Sequence, residues 1–273
     1  MKSSALKAGL FVCTMLFVGS ANAVPVTTWT LDVDMRFDTT TIAWEGSGSG
    51  TASPLSLRWG IPDTVAGQSG LDIDDSLAST SVDTDGPAVA DVSVTHINQP
   101  VFSPFLDYVD ILSSLTLTPL TPVAPGLGLG TLIFPVNFQE TTNNADPCAD
   151  GGANYVGINI NGCADIFVLG QGLALNYEFF YDDPDGEVSG RSYFISFFEL
   201  TNGLNPLPAE ACAAAGASTP CIGFETAEET NTRFQFAARI TTEPVGVPEP
   251  TTLALMGLGL AGIGFSRKKK KSA

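Results

Sequence analysis

Apolar and polar positions alternate with a period of two along most of the chain. In Thr27 to Phe37 (TTWTLDVDMRF), Trp29, Leu31, Val33, Met35 and Phe37 fall on one face. Successive side chains of a strand point to opposite sides, so this run predicts a half-buried antiparallel strand. Similar runs, enriched in Thr, Val, Phe and Tyr, occur at Leu55 to Trp59, Val89 to Ile97, Ser114 to Thr118 and Thr131 to Phe138. Others are Ala164 to Leu169, Ala174 to Tyr181, Arg191 to Leu200 and Arg233 to Ile240. Gly, Pro, Asn and Asp stand at nearly every junction. Helical periodicity is weak, and only Asp107 to Leu115 and Pro208 to Ala215 are helix candidates. The pattern predicts an all-β body: a single antiparallel β-sandwich or jelly-roll-like domain without internal repeats.

Two segments break the alternation, one at each end. Lys2 and Lys7 precede the apolar stretch Ala8 to Gly19, and Ala21-Asn22-Ala23 follows it with small residues. That order predicts a secretory signal peptide over residues 1–23, recognised for cleavage at Ala21 and Ala23 and handled by the secretion machinery. The stretch is shorter than the roughly 20 residues of a membrane span, which argues against a permanent anchor. At the other end, Pro248-Glu249-Pro250 is followed by apolar Thr251 to Phe265, then by Arg267 and Lys268 to Lys271. A helix over the apolar part would rise about 22 Å. Snorkelling basic side chains extend its reach toward the ~30 Å of a hydrocarbon core. The basic cluster predicts a short transmembrane helix with a cytoplasmic end and a body outside the inner membrane. The body is then residues 24–247 and the tail 248–273.

Charge sharpens this division. The chain has 12 Lys plus Arg against 29 Asp plus Glu, and seven of the basic residues lie in the two end segments. The body keeps five arginines against 28 acids, no lysine, and a formal charge of −23. Such a surface excludes nucleic acid as a partner, because neutralising phosphates requires a basic face. It attracts cations. The single histidine excludes a multi-histidine metal centre. Four body cysteines, an even number in an exported chain, predict disulfides. Of the three possible pairings, Cys148–Cys163 and Cys212–Cys221 are preferred, because each closes a short Gly-, Ala- and Pro-rich loop.

Candidate chemistry is sparse. Gly46-Ser47-Gly48-Ser49-Gly50 lacks serine at the centre of a nucleophile elbow, where Gly48 stands. A glycosidase carboxylate pair is defined by separation in space and cannot be picked from 28 acids. The acidic turn holding Asp182, Asp183, Asp185 and Glu187 offers the hard oxygens calcium takes, and Asp72, Asp74 and Asp75 form a second cluster. No other cofactor is expected. A strand through Val92 to Asn98 puts His96 and Asn98 on one face. With Arg58 and Trp59 they form a candidate ligand site. The preferred reading of all four is structural, with Pro100 ending the strand. Tyr177, Phe179, Tyr181, Tyr193, Phe197 and Phe198 alternate as core aromatics do.

The tripartite tail resembles the PEP-CTERM sorting signal of exopolysaccharide-producing Gram-negative bacteria. In that family exosortase, an intramembrane cysteine transpeptidase, recognises Pro-Glu-Pro and removes the helix. The resemblance implies that Pro248, Glu249 and Pro250 are substrate residues of an exosortase-type transpeptidase. It implies transient anchoring in the inner membrane and a final place on the cell surface or in the extracellular matrix. Thr95-His96-Ile97-Asn98 and Leu57-Arg58-Trp59-Gly60-Ile61-Pro62 further resemble the THxN family of PEP-CTERM proteins, which brings no enzymatic activity with it. The expectation is a non-enzymatic protein with a structural or adhesive role linked to exopolysaccharide. The alternatives are a carbohydrate- or calcium-binding module and a secreted carboxylate-dependent hydrolase.

Overall fold

The computed structural model describes residues 24–170, 175–183, 188, 190–201 and 204–246. In chain order its strands are β1 (Thr28–Phe37), β2 (Ala43–Glu45), β3 (Thr51–Ser53), β4 (Ser56–Trp59), β5 (Ile61–Pro62), β6 (Ser69–Asp74), β7 (Ser79–Asp83), β8 (Val89–Ile97) and β9 (Val101–Phe102). There follow β10 (Phe105–Thr121), β11 (Leu127–Gln139), β12 (Asp165–Leu169), β13 (Tyr177–Tyr181), β14 (Arg191–Glu199), β15 (Asn205–Pro206), β16 (Ile222–Thr226) and β17 (Asn231–Thr241). One short helix, α1 (Ala209–Ala214), lies between β15 and β16. It falls within the helix candidate Pro208 to Ala215.

The strands form two large antiparallel sheets. One runs β15-β16-β12-β11-β10-β1-β7, with β2 also paired to β10. The other runs β13-β14-β17-β8-β6-β4-β3, and β5 pairs with β9 separately. The sheets pack face to face. Trp29 of the first meets Phe179, Tyr181 and Tyr193 of the second edge-on, at 5.7, 5.3 and 5.2 Å between ring centroids. Elsewhere in the core Phe138 of the first sheet meets Trp59 of the second at 5.1 Å, and Phe224 meets Phe234 at 4.0 Å. The edge-on contacts of Trp29 and Trp59 add to the burial of large apolar area. The all-β expectation is met.

β1 shows why these residues choose strands. Trp29, Leu31, Val33, Met35 and Phe37 are all buried, while the residues between them are half-buried or exposed. The candidate helix over Asp107 to Leu115 is corrected: these residues belong to the long strand β10. Val109, Ile111, Ser113, Leu115 and Leu117 point inward with period two. An irregularity between Leu106 and Tyr108, where β10 leaves β2, shifts the phase at the start and hides that period in the sequence.

β12 is buried on both faces. Phe167 faces the other sheet, while Ile166 and Val168 pack under α1 with Ala211 and Cys212. The Cys212–Cys221 disulfide clips α1 to the strand that follows. Cys148–Cys163 closes the loop leading into β12. Both pairings are those expected from loop length. At the end of β4, Gly60 has φ +80° and a Cβ there would meet Val101 at 2.4 Å, so the turn from β4 into β5 requires glycine.

Two stability outcomes follow. Leu117→Ala, at a fully buried position, should lower unfolding free energy by about 2–5 kcal/mol in urea titration. Replacing Cys212 and Cys221 together by Ser should lower it by about 2–3 kcal/mol, the loop-closure contribution of so short a loop.

Candidate functional site

Four strands carry their inward stripe past the apolar core into polar residues at one place. In β8, Val92 and Val94 are followed on the same face by His96 and then Asn98. After β11 the buried positions Val136 and Phe138 continue to Glu140. β12 begins with Asp165 on the face of Phe167. Phe224 and Thr226 of β16 lead on to Glu228. His96, Asn98, Asp165 and Glu228 are all 0% exposed and Glu140 is 6% exposed. Carboxylate oxygens of Glu140, Asp165 and Glu228 lie within 4.8 Å of one another. Two unit charges that close repel by roughly 3–4 kcal/mol at an effective dielectric constant near 20.

The surrounding groups hold these side chains in fixed orientations. Trp59 Nε1 donates to Glu140 Oε2 at 2.7 Å, and the Trp59 ring stacks on His96 with 14° between planes. Phe138 and Phe167 meet the imidazole edge-on. The Thr141 N–H donates to Asp165 Oδ1 at 2.8 Å. Asn98 Nδ2 donates to the Thr226 carbonyl at 2.9 Å. His96 Nδ1 lies 2.8 Å from Thr226 Oγ1. That hydroxyl has the Asp165 carbonyl to donate to, at 3.4 Å. With Nδ1–H as the donor to Thr226, Nε2 is left as a bare lone pair. Nε2 lies 3.9 Å from Asp165 Oδ2, beyond hydrogen-bond range.

Protonation follows from this enclosure. Burial drives the His96 imidazole down to about 3, so it is neutral at physiological pH. Burial pushes Glu140 up to about 8 against the Trp59 hydrogen bond, and the Glu228 charge adds to the rise. Burial and then the Glu229 charge push Glu228 up to about 7. Asp165 is raised well above its ordinary range, first by burial and then by the charges of Glu140 and Glu228.

Of the sequence-predicted ligand residues, the structure brings Trp59, His96 and Asn98 together and leaves Arg58 apart. Alternation along β4 turns Leu57 and Trp59 inward and Arg58 outward, where it forms a bidentate pair with Asp72. Arg233 similarly holds Asp74 at 3.3 Å, so two of the acids of the second cluster already face a guanidinium. In the turn expected to bind calcium, Asp182 is exposed and Asp183 buried. Asp185 and Glu187 lie outside the described residues. Phe179, Tyr181, Tyr193 and Phe197 are buried in the core, whereas Tyr177 is exposed. Sequence reading missed Glu140, Asp165 and Glu228. Their signal was an acid at the inward position of an apolar stripe: Phe138-x-Glu140, Asp165-x-Phe167 and Phe224-x-x-x-Glu228.

Both end segments lie outside the described residues, and with them Ala21, Ala23, Pro248, Glu249 and Pro250. Among the described residues no helix is long and apolar enough to cross a membrane. Residues 246–268 match the family model described as the PEP-CTERM protein-sorting motif. The chain carries a PEP-CTERM sorting signal. The motif implies export, transient anchoring at the C-terminus and processing by an exosortase-type enzyme. Only residues 242–245 separate the last strand from the motif. No curated protein matches the chain.

The buried acids make a pH prediction for the chain in EDTA. Glu140, Glu228 and Asp165 titrate higher when folded than their unfolded values of 4.5, 4.5 and 3.8. Their contribution is full below about pH 4 and is lost as pH rises through the folded values near 7 and 8. His96, folded near 3 against 6.5 unfolded, acts in the opposite sense but only below about pH 6.5. Asp91, a separate buried acid raised by burial to about 7, adds to the loss at higher pH. Thermal unfolding in EDTA should show a lower Tm at pH 8 than at pH 5. Glu140→Gln should flatten that slope.

Proposed function

We propose that the chain is a non-enzymatic, exosortase-processed protein with a structural or adhesive role on the cell surface or in the polysaccharide matrix. The observation that carries this reading is the sorting motif at residues 246–268, joined almost directly to the last strand of the β-sandwich. A body delivered by such a tail is released or transferred outside the inner membrane, where a disulfide-closed domain persists.

The character of the body supports a non-catalytic role. Its one histidine is fully buried and neutral, wedged among Trp59, Phe138 and Phe167. General base catalysis needs a group within hydrogen-bond reach of substrate. The strongest cluster of acids is likewise enclosed, so a polysaccharide could not lie between them as it must in a carboxylate-dependent hydrolase. The surface is acidic and without lysine, which favours association with cations and neutral glycans over anionic polymers.

Mass spectrometry of the protein isolated from its native surface tests the sorting step. The expected product lacks residues 251–273, and a Glu249→Ala chain stays in the inner-membrane fraction. Mature surface protein with an intact tail would overturn the reading. For the body, co-sedimentation with matrix polysaccharide without release of reducing ends is expected. Steady release of reducing ends would replace the structural role with hydrolysis.

A further inference from the structure

We propose that Glu140, Asp165 and Glu228, beside the buried imidazole of His96, form an interior site for one hard divalent cation of the calcium or manganese class. This goes beyond the proposed function. It is a different place from the acidic turn at Asp182 and from the Asp72, Asp74 and Asp75 cluster.

Asp165 Oδ2, Asn98 Oδ1 and His96 Nε2 are buried without a hydrogen-bond partner, and both carboxylate oxygens of Glu228 are buried with no hydrogen bond of ordinary geometry, the Asn143 side chain and the Glu229 N–H lying only near enough to lower its titration. Buried polar groups normally find one. With the carboxyl groups ionised and Nδ1 carrying the imidazole proton, each of these atoms accepts and none of them donates. A water molecule brings two donors, too few for five acceptors of this arrangement. The species that satisfies acceptors alone, and also answers clustered negative charge, is a metal cation. Among the described residues, the arginines in ion pairs sit on Asp34, Asp72 and Asp74, not here.

The geometry agrees. Carboxylate oxygens that all lie within 4.8 Å of one another can, with slight adjustment, be reached by one ion at about 2.3–2.6 Å from each. Other atoms of the same side chains are tied back by the protein. Trp59 Nε1 holds Glu140 Oε2 and Thr141 N holds Asp165 Oδ1. Fixing one atom of a ligand so that the other faces the ion is how outer partners orient metal ligands. The donor set is carboxylate oxygen, which selects a hard ion of the calcium or manganese class. In the ion's absence, protons on Glu140, Asp165 and Glu228 take over part of the charge compensation. The ion therefore displaces protons on binding.

The test uses the full-length chain in detergent, unfolded in denaturant with EDTA and refolded at pH 7.5 with 1 mM Ca2+, Mn2+, Zn2+ or EDTA. Refolding is necessary because the site is enclosed. Metal content after gel filtration should be one calcium or manganese per chain. The Tm should exceed that of the EDTA sample by roughly 5–15 °C. Glu228→Gln keeps the side-chain volume and removes a repelling charge. It should refold in EDTA with a Tm equal to or above that of the parent, yet lose the ion and the Tm response. Asp72→Asn should retain both. The site is overturned if the parent chain keeps less than about 0.1 ion of any kind and its Tm ignores all three. It is equally overturned if Glu228→Gln binds as the parent does. Retention of Zn2+ alone would overturn the assignment to a hard ion.

Discussion

Three carboxyl groups share the buried space between two packed sheets, and their mutual repulsion is the constraint around which this end of the molecule is organised. The rest of the core is conventional: inward Trp, Phe, Leu, Ile and Val from both sheets. There is no comparable apolar solution where Glu140, Asp165 and Glu228 meet. Left ionised and alone, they would oppose the closure of the sheets. Protonated, they close the sheets at the expense of pH dependence. Compensated by a cation, they become a strong link between strand ends distant in sequence.

The loops at this end are built to hold that arrangement. The Cys148–Cys163 bridge anchors the long excursion between β11 and β12, two residues before Asp165. Thr141 Oγ1 donates to the Cys163 carbonyl, which ties the residue after Glu140 to the bridge. Asn161 Nδ2 donates to the Glu228 carbonyl, and the Asn98 N–H donates to the Thr230 carbonyl. Both sheets are thus laced together around the acids by bonds from loop to loop. Trp59 completes the enclosure from β4, and the glycine after it lets the chain turn away immediately. The Arg58-Trp59-Gly60 phrase divides its work by strand alternation: a surface ion pair outward, a lid on Glu140 inward, and a bend.

How much of this was legible follows from the range of the interactions. Runs of apolar, β-branched and aromatic residues located β1, β8, β11, β12, β14 and β17; the period of two is clean in β1, whereas β12 is buried on both faces and β17 shifts register between Gln235 and Ala237. Within β10 the same signal found Ser114 to Thr118 but missed the first part, where the irregularity near Tyr108 breaks the phase, and it missed two-residue strands such as β5 and β15, which are too short to show a period. The shared face of His96 and Asn98 was readable because it is local. Their partners were not: Thr226 is 130 residues from His96, and Glu140 is 81 from Trp59. The placement of Arg58 with Trp59 failed for a local reason, since adjacent residues of a strand cannot face the same way. The buried acids were visible only as polar residues at inward positions, a signal that becomes legible once neighbouring strands are known to end at the same place.

Burial of the site decides what it can do. An ion held there has no route to a substrate, so its effect is on the folded state itself. A group bound by the native chain and not by the unfolded one stabilises by linkage, and an enclosed site makes binding and closure a single event. The two disulfides act on the same balance from the other side, by restricting the unfolded chain. Both devices draw on conditions met outside the cytoplasm, where the sorting motif implies the body is delivered. A sandwich stabilised in this way would owe part of its persistence to the medium into which it is exported.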